Sequence, residues 1–267
     1  MAASVAANNA NEWLAMSSLT GFLSVFARVG SALALVPLPG MHAVLGPVRV
    51  VLTLAIALIL APVWPRVTPP ADAGSLAALL LGEVSIGLLL GMVASVAIEC
   101  LVFSAQVLSL QAGYSYAVTV DPASEADSGI LLVLAQLAAS MLFFACGLDR
   151  PLLRGLARSL DAWPPGMTWQ AAPLVSQVVK LGSMVLEFGL RLAMPIVALL
   201  LLTDLTLALL ARLNAQLPLL HVSFSVKMLA ALFLLAWLAP GWPALLKSVA
   251  EASWHALAGP LAAKAGG

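Results

Sequence analysis

The chain has 267 residues, of which 62% are hydrophobic and only 9% charged, whereas a soluble domain carries roughly a quarter charged residues. Its 12 basic and 12 acidic residues cancel, so there is no basic field to gather nucleic acid and no acidic tail. This balance excludes a nucleic-acid partner and a soluble globular enzyme, and predicts an all-α membrane protein organised as one helical domain over residues 1–267.

About 18–25 apolar residues are needed to cross a hydrocarbon core of about 30 Å. Six such windows fall at 14–37, 48–64, 75–98, 129–148, 189–211 and 222–246. The start, Met1 to Met16, lacks the basic region of a secretory signal, and the apolar run behind it is too long for a cleaved one, so it opens the first membrane segment. Proline and glycine then punctuate the chain: Pro37-Leu38-Pro39-Gly40, the stretch from Pro62 to Pro70, Asp121-Pro122, Trp163-Pro164-Pro165-Gly166, and the polar run from Arg212 to Pro218. Trp13, Trp64, Trp163, Trp169, Trp237, Trp242 and Trp254 are expected to mark segment ends, where an amphipathic ring favours the headgroup layer.

The third segment continues unbroken from Ser75 to about Gln111, over 50 Å at 1.5 Å per residue, so it must tilt, bend or leave the bilayer. A similar extension follows the fourth, where Arg150, Arg154 and Arg158 recur on one helical face. That stripe reads either as a solvated face or as a dock for an acidic partner or lipid headgroups. Between Glu99 and Ser128 there is no Lys or Arg, while 149–172 holds three Arg. The positive-inside rule puts the latter stretch, and with six crossings both termini, in the cytoplasm. The Ala/Gly ending predicts a frayed tail over 250–267.

Charges inside apolar windows stand out because each costs a few kcal/mol at the bilayer centre unless paired or wet. Arg28, Glu83, Asp204 and Lys227 are of this kind. Glu83 and Asp204 form either a cation path of a self-contained transporter or channel, or, as the favoured reading, interhelical partners for Arg28, Arg191 and Lys227. Glu187 and Arg191, four apart in the favourable order, can also satisfy each other. Gly87 and Gly91, followed by Ser95, make a small-xxx-small ladder for close helix approach. Pro195 is expected to kink its helix or mark its start.

No catalytic set, metal-ligand spacing, phosphate loop or dinucleotide fingerprint is visible, so neither an enzyme nor a cofactor is expected. Cys100 and Cys146 read as small buried hydrophobes, and His42, His221 and His255 are far apart. The least bland stretch is 111–128, QAGYSYAVTVDPASEADS. Gly113 breaks the preceding helix, and Tyr114 and Tyr116 alternate with Ser115 and Ala117 ahead of the Asp121-Pro122 turn. These residues either line a constriction or form an ordinary external loop.

With these residues located, the chain resembles the FliR/SctT family, the membrane export-gate subunits of flagellar and other type III secretion systems. The likeness runs from about Phe22 to Leu246 through ordered blocks. Those blocks are Phe22 to Arg28, Pro37 to Gly40, Gly46-Pro47-Val48-Arg49, Glu83 with Gly87 and Gly91, and Gln111 to Ala117 with Asp121-Pro122. Pro195, Asp204, Arg212, Gln216 and Lys227 complete the set. The resemblance implies a non-enzymatic, multi-pass subunit of the bacterial inner membrane and flagellar basal body, with helices arranged as hairpins. It implies partnership with FliP-like, FliQ-like and FlhB-like subunits, contact with membrane lipid, and passage of unfolded export substrates. It also implies that the loop matching Gly113 to Val120 plugs the closed pore, with Tyr116 where the family usually has Phe. Gly147-Leu148-Asp149-Arg150 departs from the family's Gly-His turn, and the Gly-x-Ser-aromatic-Ala pattern is closer to the flagellar branch. Within such an assembly, apolar windows bury against sister subunits as well as lipid.

Overall fold

The computed structural model describes residues 2–36, 46–65, 67–113, 130–166, 171–213 and 219–262. Among them the chain is helical: α1 (Ala2–Leu35), α2 (Gly46–Ile59), α3 (Ala73–Ala112), α4 (Ile130–Ala145), α5 (Asp149–Ala162), α6 (Ala171–Leu213), α7 (Leu219–Leu238) and α8 (Trp242–Ala262). Short 3-10 turns lie at Ala61–Val63 and Ala239–Gly241. Met16–Leu35, Ala73–Ala112, Val175–Leu210 and Ser225–Leu257 are long and apolar enough to cross a membrane, and α4 with α5 forms a fifth, broken candidate. The protein is thus an all-α membrane protein.

Several boundaries differ from the apolar windows, each for a local reason. The second window yields a helix of 14 residues, about 21 Å long, because Pro62 sits in the first turn of the following 3-10 segment. The extension expected after the fourth window is broken at Gly147, whose φ of +70° ends one helix before the next begins. Pro240 and Gly241 interrupt the last window. Conversely, α6 begins 18 residues before its window and runs through Pro195. Exposed Lys180 and Glu187 end the apolar pattern without ending the helix. The C-terminal stretch from Ala250 to Ala262, expected as the start of a frayed tail, is helical. Ser253 and Leu257 are buried, and the Ser253 hydroxyl donates to the Val93 carbonyl at 3.0 Å.

The helices form two compact units by contact. The first comprises 1–95, 147–181 and 252–267. In it α1 and α2 pack together, with Gly30 against the Thr53 methyl. The chain after α2 is tied down by the Trp64 indole donating to the Ala57 carbonyl at 2.8 Å and by Trp64 against the Phe22 ring at 5.3 Å. Trp254 lies inside α8 rather than at a helix end, its ring filling the space beside Gly155. The second unit comprises 96–146 and 182–251. Its core joins Leu108 and Ala112 of α3, Leu131 of α4, Ala193, Ile196 and Leu200 of α6, and Ala231 of α7.

Candidate functional site

The first unit is organised around one guanidinium. Gly87 and Gly91 let the backbone of α3 meet that of α1 directly. A Cβ at Gly91 would stand 2.5 Å from the Ala32 carbonyl oxygen, and one at Gly87 would collide with Ser31 and the Arg28 carbonyl. Small residues of this kind allow backbones to approach where packing, not hydrophobicity, drives association. Glu83 lies one turn before Gly87 on the same α3 face, so the close approach delivers its carboxylate to Arg28. Nε of Arg28 donates to Glu83 Oε2 at 2.6 Å.

The other end of the fork reaches α5. Nη1 donates to the Ser159 carbonyl at 2.7 Å and to the Ser159 hydroxyl at 3.1 Å, and Nη2 donates to the Trp163 carbonyl at 2.7 Å. The last carbonyls of a helix lack intrahelical donors and carry its negative dipole end, so a cation there satisfies both needs. Arg28 is 1% and Glu83 2% exposed; such a pair is tolerable because its hydrogen-bonding groups are satisfied. Ser159 and Trp163 were not legible as site residues. Their signal, two positions four apart at the end of an amphipathic helix before Pro164-Pro165, marks carbonyls in need of donors but not which cation answers.

In the second unit Lys227 of α7 donates to Asp204 of α6 at 2.6 Å, with Asp204 half-exposed. Asp204 lies one turn beyond buried Leu200 and Lys227 one turn before buried Ala231, so the pair closes one end of the apolar core. Arg191 meets Glu187 at 3.5 Å within α6, both side chains well exposed, and its guanidinium lies 5.9 Å from the Phe188 ring centroid. An exposed pair of this type contributes little. Gly113 ends α3 with φ of +86°, its N–H donating to the Leu110 carbonyl. Tyr114, Ser115, Tyr116, Ala117, Asp121 and Pro122 lie outside the described residues.

These features define a multi-pass helical membrane protein fixed by close helix contacts and interhelical ion pairs. A profile described as bacterial export proteins, family 1, matches residues 19–253, and the chain belongs to that family. It is 26% identical over 234 residues to the flagellar biosynthetic protein FliR of Pectobacterium carotovorum subsp. carotovorum, covering 86% of this chain and 88% of that protein. It is 27% identical over 229 residues to FliR of Escherichia coli (strain K12), covering 86% and 87%. Against FliR of Caulobacter vibrioides it is 27% identical over 214 residues, covering 79% and 85%.

Proposed function

We propose that this chain is a subunit of a flagellar-type protein-export gate in the bacterial inner membrane, and that it helps form and close the pore for unfolded substrates. The observation that carries this reading is the export-protein match over 19–253, joined to relatives named for flagellar biosynthesis that align over most of both chains. FliP-like, FliQ-like and FlhB-like subunits are the partners this reading requires. Large apolar side chains exposed along α6 and α7, such as Leu201, Leu202, Leu205, Leu229 and Phe233, suit a subunit covered by protein neighbours as well as lipid.

The closing element in this reading is the 113–120 loop. Gly113, in the left-handed region, ends α3, and Tyr114 and Tyr116 follow it directly in the sequence. A self-contained transporter would instead need Glu83 and Asp204 free to take up and release a cation. Each carboxylate lies 2.6 Å from a cation of its own chain, Arg28 or Lys227, which favours the gate.

Co-expression tests the assembly: the chain should be recovered with FliP-like and FliQ-like subunits, and a stable monomer indifferent to them would sink the idea. Tyr116→Ala, or deletion of 113–120, should make the assembled gate leak small ions, whereas unchanged permeability would remove the plug role. Cation flux by the lone chain in liposomes, abolished by Asp204→Asn, would favour the transporter.

A further inference from the structure

Helix α5 differs from the other described helices by carrying a sharply two-sided sequence. Leu152, Leu156, Ser159 and Leu160 are buried, Gly155 is stacked beneath Trp254, and the C-terminal carbonyls are held by Arg28. The inner face is therefore fixed by packing and by a buried cation, and the outer face is held in one orientation. Arg150, Arg154 and Arg158 lie on that outer face and are exposed. At intervals of four residues they advance about 6 Å each along the axis. None of the three guanidinium groups forms an ion pair among the described residues. Asp161 shares the face one turn further on, leaving the N-terminal two-thirds of the stripe uniformly positive.

We propose that this arginine face binds the anionic headgroups of membrane phospholipids, seating α5 at the bilayer surface. The short link from an apolar helix selects lipid over an acidic protein. Of the α4–α5 pair, bent by 68° at their break, only α4 is apolar along its whole length, to its last residue Ala145, whereas α5 starts at Asp149 and carries the arginines on its outer side. The three connecting residues reach at most about 10 Å, comparable with a headgroup layer of roughly 5–8 Å, so Arg150 cannot lie far from the hydrocarbon boundary. Arginine's planar fork also matches phosphate bidentately, and its stem can lie along apolar surface while the head stays wet. Exposed Leu153 beside Arg154 supplies such surface. Each near-surface arginine is worth about a fivefold gain in partition to an anionic leaflet, and the effect weakens as salt screens it.

The test uses the full chain solubilised in mixed micelles of phosphatidylglycerol and phosphatidylcholine, separated from free lipid, with bound lipid quantified by mass spectrometry. The wild type should be enriched in phosphatidylglycerol, and the combined substitution R150Q, R154Q, R158Q should reduce that enrichment about tenfold or more. The corresponding Lys variant should keep most of it, since it keeps the charge and the fold. Equal enrichment in the wild type and the Gln variant would overturn the proposal, as would enrichment indifferent to salt between about 0.05 and 0.5 M. If soluble polyglutamate displaces phosphatidylglycerol from the wild type at equal charge concentration, the face is a protein dock and the lipid assignment fails. Because the salt dependence is read on the wild type, a misfolded variant does not rescue the proposal from refutation.

Discussion

Arg28 joins three helices through four hydrogen bonds, so its removal is felt at each of them. Arg28→Met leaves the Glu83 carboxylate buried without its cation and strips donors from the end of α5. Breaking one partner of such a pair costs roughly 3–5 kcal/mol, whereas replacing both by apolar groups of similar size is often far milder. The single variants Arg28→Met and Glu83→Leu should each lower the melting temperature of the detergent-solubilised protein sharply, and the double variant should recover part of the loss. Strictly additive losses would show that the two side chains do not act as a pair. Gly87→Ala makes a second demand, because the new methyl meets the Arg28 carbonyl, which is backbone and cannot swing aside. It should cost about 1–3 kcal/mol as overpacking and make a subsequent Glu83→Leu change less damaging, since the ion pair is already displaced. Glu83, Gly87 and Gly91 were legible because charges and small residues inside an apolar run need a reason. The partner of Glu83 was legible only as one of a few cations, since a separation of 55 residues carries no local signal.

At the scale of elements, apolar length located helices well and bounded them poorly. An apolar window measures where hydrocarbon is tolerated, while a helix ends where backbone geometry ends it. That is why Gly147 stops the helix that composition would extend past the fourth window, why the Pro240-Gly241 turn divides the last one, and why α6 outlasts its window. The start of α3 was set by a cap rather than by hydropathy. Asp72 Oδ1 accepts the Ser75 N–H at 3.2 Å, and the Ser75 hydroxyl accepts the Asp72 N–H at 3.3 Å, a reciprocal box that satisfies donors at the helix start. The hydrogen bonds from Ser75 hold the Asp72 carboxyl below its ordinary value of 3.8. A depressed carboxylate stabilises the cap above the unfolded value, and that contribution is lost as pH falls through the lower folded value. The first turn of α3 should therefore fray only below about pH 4, seen as faster exchange of the Ser75 and Leu76 amides. Asp72→Asn, which still caps but does not titrate, should remove the acid dependence. Exchange that accelerates equally in Asp72→Asn would place the titration elsewhere.

For the whole molecule the unresolved quantity in the sequence was how much of each long helix meets lipid, and the charges along α6 divide it. The helix has 43 residues, about 64 Å, twice a hydrocarbon core of about 30 Å. Exposed Lys180, Glu187 and Arg191 fall in its N-terminal half. From Arg191 to Arg212 the only charge is Asp204, which Lys227 neutralises at 2.6 Å, and that interval rises about 32 Å. One bilayer thickness therefore fits between Arg191 and Arg212, with the preceding turns outside the hydrocarbon, where the exposed Glu187–Arg191 pair is tolerated without burial. The window at 189–211 located this interval; the sequence did not display that the helix continues for five turns before it. With Cys100 and Cys146 replaced by Ser, single cysteines introduced as Leu186→Cys and Leu201→Cys compare two side chains of similar exposure in the folded chain. In vesicles a polar maleimide should label the first at least about tenfold faster than the second, because only the second lies where water is absent. Equal and slow labelling would put the Glu187–Arg191 turn inside the lipid. Equal and fast labelling would mean that the 192–211 interval is also wet, and that α6 is held by protein neighbours instead of by the bilayer.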